Sequence, residues 1–162
     1  MKIAALQIGP VIGTVEENIK RADAILETSD LTDVDLLVLP ELAFTGYNFP
    51  NLSAIQPYLE PTTSGRTTQW AIATAKRLNA TVIAGYPEIS IDTDKDGKPI
   101  NYNATVTVDP SGAVLANYRK SFLYYTDESW AAEGTGFFCG PLGKLGNVGL
   151  GICMDINPYE VS

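Results

Sequence analysis

Three apolar runs, at residues 2–8, 34–39 and 81–89, alternate with two stretches of helical periodicity. That order constrains the fold more than any other feature of the 162-residue chain. Short apolar runs that stop at proline or glycine read as sheet-core strands. The first run is broken by Gly9, Pro10 and Gly13, and the second stops at Pro40. Between them Thr14 stands where an N-cap belongs, with Glu17 three residues on as a capping box requires. Ile19, Ala22, Ile25 and Leu26 give that helix an apolar stripe up to about residue 27. A second helix is expected over 67–78, with Trp70, Ala71, Ala73, Ala75 and Leu78 available for packing. The Asp-Gly step within 92–99 favours a reversal, and 101–119 reads as a β-hairpin around Asp109 to Gly112. A short irregular or helical stretch at 126–134 and a glycine-rich patch lead to a last strand at 146–153. The sum is a mixed sheet with helices packed on it, an α/β fold in one domain covering 1–162.

Composition narrows the chemistry. The formal net charge of −8 leaves no basic stripe for nucleic acid. No apolar run is long enough for a transmembrane helix, and the apolar start reads better as a core strand than as a secretory signal, so a cytoplasmic location is the expectation. The two cysteines, Cys139 and Cys153, read as free thiols. The chain contains no histidine, which removes Ser-His-Asp and Cys-His hydrolases and histidine-ligated metal sites. Phosphate-loop, dinucleotide and Gly-x-Ser-x-Gly fingerprints are absent as well. No cofactor and no metal are expected. A hydrolase built from this chain needs a carboxylate or an amine as its base.

Three residues at strand ends supply such chemistry. Glu41 follows the second apolar run, Lys120 follows the hairpin, and Cys153 closes the last strand. A thiol is a competent nucleophile once a base takes its proton, and a carboxylate can be that base. A lysine ammonium can stabilise the thiolate and the oxyanion, with the backbone N–H of Met154 as a further donor. Each residue also has a plain structural reading: a small buried thiol, a capping carboxylate and a solvated surface amine. Spacing alone does not choose between them.

The blocks LLVLPELAFTGYNF, YRKSFLYYTDESW and GLGICMDINPY resemble the three signature regions of the nitrilase, or carbon-nitrogen hydrolase, superfamily. KIAALQIGPVIGTVEENIKRA matches its first strand and helix, so the resemblance covers essentially the whole chain. It implies an α-β-β-α sandwich with Glu41 as general base, Lys120 as the oxyanion-stabilising lysine and Cys153 as the nucleophile. It also implies that Glu128 matches an additional family glutamate which positions substrate and lysine. Met154 and Asp155 complete the expected substrate-positioning set. Within the superfamily the blocks look most like the fungal protein N-terminal amidases, which convert N-terminal Asn or Gln to Asp or Glu and release ammonia. Asp127, Glu128 and Asp155 would then attract a substrate α-ammonium.

The resemblance sets two departures beside these expectations. Phe122 stands where the family often has histidine, two positions beyond the lysine. The chain also ends soon after the nucleophile strand, where Pro158 would open a covering helix. It therefore reads as the N-terminal part of a carbon-nitrogen hydrolase domain, with little amidase activity by itself. Much of the surface for the homodimer of the full-length form would lie in the missing part. The expected partner is a polypeptide N-terminus or a small amide. An inactive, family-derived interaction module and a small-molecule omega-amidase or nitrilase remain the alternatives.

Overall fold

The computed structural model describes residues 1–157; Pro158, expected to open a further helix, lies outside them. Strand β1 (Ile3–Ala5) leads through helix α1 (Val15–Thr28) to β2 (Leu36–Val38). The one-turn helix α2 (Leu52–Ile55) and helix α3 (Arg66–Leu78) then connect β2 to β3 (Thr81–Thr93). β3 continues through hairpins into β4 (Pro99–Val108) and β5 (Val114–Arg119). These five strands form one sheet in sequence order, parallel across β1–β2–β3 and antiparallel across β3–β4–β5. β6 (Phe138–Pro141) and β7 (Asn147–Leu150) make a separate antiparallel pair.

Alternation along the strands divides the apolar side chains between two faces. On one face Val82, Ala84 and Tyr86 of β3 pack with Ala104, Val106 and Val108 of β4. Helices α1 and α3 cover that face with Ala22, Leu26, Trp70, Ala71 and Ala75. On the other face Leu36, Ile83, Ala116 and Tyr118 pack against Leu142, Leu150 and Ile152 from the second sheet and its flanks. The layers are therefore helix, sheet and sheet, in the order of the expected sandwich. The described residues do not form its outer helical layer.

Local details differ from the sequence reading for identifiable reasons. The first strand is short and half-exposed rather than buried, with Ile3 56% accessible, because β1 lies at the edge of the sheet. Thr14 occupies the N-cap of α1, but its hydroxyl donates to the Val11 carbonyl and Glu17 pairs with Lys20, so no capping box forms. Buried Asn18 instead accepts from Val11 N–H at 3.0 Å and donates to the Val11 and Phe44 carbonyls at 2.8 Å. It ties the start of α1 to the loop that follows β2. Strand β6 forms within the patch whose glycines suggest only a loop.

Candidate active site

Glu41 is placed by a tight turn after β2. Leu39 N–H still bonds to Ile83 and Ala43 N–H bonds to Gly85, so the turn lies directly on β3. Only glycine fits at position 85: a Cβ there would sit 2.6 Å from the Pro40 carbonyl oxygen and 2.8 Å from Glu41 Cα. Leu42 takes a left-handed conformation with φ of 45°, which turns the chain back under the sheet.

Lys120 follows β5 with its backbone held on both sides. Its N–H donates to the Asn103 carbonyl and its own carbonyl accepts from Gly134, each at 2.8 Å. The side chain is fully buried, with Nζ 2.6 Å from Glu41 Oε1 and 2.6 Å from Asp127 Oδ2. Burial alone would lower the proton affinity of this amine. The bonds and charges of Asp127 and Glu41 more than offset that and raise it, so Lys120 is a fixed cation. Asn103 completes the cluster, donating from Nδ2 to Glu41 Oε1 at 2.7 Å and to Asp127 Oδ2 at 3.5 Å. The Tyr47 ring stands 5.9 Å from the ammonium. Burial, with the charges of Asp127 and Glu41, pushes its phenol up to about 12, so it stays neutral.

Cys153 begins a one-turn 3-10 helix, Cys153–Ile156, with φ of 48°. β7 stops at Leu150, so Cys153 lies three residues beyond the strand it was expected to close. A left-handed non-glycine residue there stores about 1 kcal/mol or more of strain, which the surroundings must hold. Asp155 does the holding. Its Oδ2 accepts from Ile152 N–H at 2.8 Å and Tyr118 Oη at 2.7 Å, and its Oδ1 accepts from Ser121 and Phe122 N–H at 3.1 and 2.8 Å. One carboxylate thus clamps the cysteine turn to the segment that carries Lys120.

The Cys153 thiol lies within the electrostatic reach of Glu41 and Lys120. Partial burial comes first in raising its proton affinity, followed by the Glu41 charge and a hydrogen bond to that carboxylate. Lys120 and the Met154 amide pull the other way without winning. These influences together favour the protonated thiol over a preformed thiolate–ammonium pair. An open groove of about 490 Å³ runs beside the sulfur, lined by Phe137, Leu150, Cys153 and Ile156 among others. Among the described residues no group of three His, Cys, Asp or Glu side chains is arranged to hold a metal ion, and no helix is long and apolar enough to cross a membrane.

The structure brings Glu41, Lys120, Cys153 and the Met154 amide together. Glu128 is exposed, and the buried carboxylate against Lys120 is its neighbour Asp127. Asp155 faces protein donors rather than the open groove alone, which changes its expected part from touching substrate to supporting the turn. Phe122 packs edge-on against Phe137, with ring centroids 5.3 Å apart. Asn103 and Tyr47 were not singled out by sequence, since neither lies at a strand end or in a recognisable spacing.

Residues 2–161 match the carbon-nitrogen hydrolase family. A protein N-terminal amidase of Schizosaccharomyces pombe is 40% identical over 165 residues, which cover 99% of this chain and 57% of the relative. Structures of an N-terminal amidase with a Gln-Gly peptide and with an Asn-Glu peptide each superpose with a TM-score of 0.82 at 31% identity. Each match covers 97% of this chain and 40% of the solved one, so the chain spans about half the length of its relatives or less.

Proposed function

Because the chain belongs to the carbon-nitrogen hydrolase family, we propose that Glu41, Lys120 and Cys153 cleave an amide through a thioester. One observation carries this reading: a fully buried lysine bonded at 2.6 Å to Glu41, the carboxylate whose charge also acts on the Cys153 thiol. The Cys153 proton passes to Glu41 as sulfur attacks the amide carbon. Lys120 and the Met154 N–H favour the negative charge that moves onto sulfur and then onto the carbonyl oxygen. An oriented donor of this kind is worth about 3 kcal/mol in a transition state. Collapse of the tetrahedral species expels ammonia, which takes its extra proton from Glu41 and leaves a thioester on Cys153. Water then attacks the thioester as Glu41 takes its proton, and Glu41 passes that proton to the departing sulfur, which releases the carboxylic acid and restores the thiol and the base.

The substrate proposed is a polypeptide beginning with Asn or Gln, whose side-chain amide becomes a carboxylate. Support comes from the N-terminal amidases similar to this chain, one crystallised with Gln-Gly and Asn-Glu peptides. Of the three acids near the site, Asp127 is bonded to Lys120 and Asp155 to the cysteine turn. Glu128 is the exposed member. The protein carrying this chain should therefore release ammonia from Asn- and Gln-starting peptides. N-acetylation of the same peptides should remove most of that turnover. Equal rates on free and acetylated peptides would end the N-terminal assignment, and turnover of small free amides alone would replace it with a small-molecule amidase.

A further inference from the structure

Asn103 is fully buried in the middle of β4, on the face that carries the reactive groups. Both neighbours of its amide nitrogen are carboxylate oxygens, which fixes the amide with its NH2 toward Glu41 and Asp127. Its Oδ1, by contrast, is buried with no hydrogen-bond partner among the described residues. A buried acceptor left unmade costs about 1–3 kcal/mol, a penalty that a leucine of similar size would avoid. Packing therefore does not explain an amide here, whereas its two donor hydrogens do. Glu41 Oε1 receives both Lys120 Nζ at 2.6 Å and Asn103 Nδ2 at 2.7 Å. That occupancy leaves Oε2 as the oxygen to take a thiol proton.

We infer that Asn103 is a positioning residue for the base: its amide holds Glu41 by Oε1 and so presents Oε2 to Cys153. The inference rests on the proposed pairing of Glu41 with Cys153. An amide suits the task because it carries no charge, so it can share both of the lysine's carboxylate partners without adding a second cation. Its carbonyl also accepts the Lys120 N–H, so one residue registers both the lysine backbone and the glutamate side chain.

The test is the pH profile of iodoacetamide alkylation at Cys153, read by mass spectrometry on this chain, with exposed Cys139 as internal control. The ionisable groups around the sulfur are Glu41, Lys120 and Tyr124, with Asp127 and Tyr47 behind them and Asp155 in the cysteine turn. Glu41→Gln calibrates the response by shifting the Cys153 profile to lower pH. Asn103→Leu should shift it the same way by less, because a released Glu41 no longer opposes the thiolate from its fixed position. Asn103→Thr, suited to a strand but too short to bridge both carboxylates, should do likewise and guards against a variant that fails to fold. A merely structural role would leave the profile of folded protein where it was. Wild-type behaviour of Cys153 in folded Asn103 variants, alongside a shift in Glu41→Gln, overturns the inference. No shift in Glu41→Gln overturns the Glu41–Cys153 pairing instead, and with it the proposed reading.

Discussion

Replacing Lys120 with methionine is expected to destabilise the fold by about 3–5 kcal/mol, the range for removing one member of a buried ion cluster. Lys120 is inaccessible, and the side chains of its partners Asp127 and Glu41 are 1% and 17% accessible. Without the ammonium, two carboxylates that share one small volume repel each other and lack water to screen them. For a chain of this size the loss should lower the melting temperature by about 10 °C. The deficit should shrink as pH is lowered, because a proton on either carboxylate relieves the repulsion. In the wild type the lysine's own contribution also falls as pH rises, but in the alkaline range. A lysine whose proton affinity is raised by folding contributes its full stability below the pKa of unfolded lysine. That contribution is lost only as pH rises through the higher folded value. Thermal melts of both proteins from mildly acidic to alkaline pH check both slopes. A melting temperature within a degree or two of wild type would mean that Lys120 does not hold the two acids as described.

Glu41→Gln is expected to make Cys153 more reactive toward alkylating agents and much less able to hydrolyse an amide. The carboxylate raises the thiol's proton affinity through its charge and its hydrogen bond, against the pull of Lys120. A neutral amide removes both effects and leaves the lysine. Thiolate becomes more abundant at neutral pH, about tenfold for each unit by which the thiol pKa falls. Turnover should nevertheless drop by about two to four powers of ten, since no group remains to shuttle protons from sulfur to ammonia and from water. Opposite signs in two assays of one variant separate loss of a base from loss of the fold, which would lower the turnover and bring Cys153 to the same alkylation rate as Cys139. Parallel decreases in alkylation and turnover would show that Glu41 supports the site without accepting its proton.

The elements that order the chemistry were legible because each is written locally. Apolar runs ended by Pro40 or bounded by turns gave β2, β3 and the β4–β5 hairpin. The roles expected of Glu41, Lys120 and Cys153 came instead from the family resemblance, and β7 stops at Leu150, three residues before Cys153. What was not legible depends on contacts across the sheet. Asn101, Asn103, Thr105 and Thr107 alternate with Ala104, Val106 and Val108 in β4. By period alone such polar positions read as a solvated face. The second sheet and the Glu41 turn bury part of that face, and Asn103 joins the buried cluster of Glu41, Lys120 and Asp127. Asp127 and Glu128 are adjacent in a short 3-10 turn at Asp127–Ser129, where sequence cannot say which acid points inward. The structure buries Asp127 and exposes Glu128. Asp155, too, is an acid near a nucleophile in sequence, and only its four donors show that it fastens the cysteine turn.

Covalent capture at Cys153 tests the proposed chemistry most directly. The protein carrying this chain would be quenched in acid during turnover of an Asn- or Gln-starting peptide, digested and weighed. The fragment containing Cys153 should gain the mass of the peptide less ammonia, as a thioester requires, and Cys153→Ala should neither form the adduct nor release ammonia. Ammonia release undiminished in Cys153→Ala, or an adduct on any other residue, would contradict it.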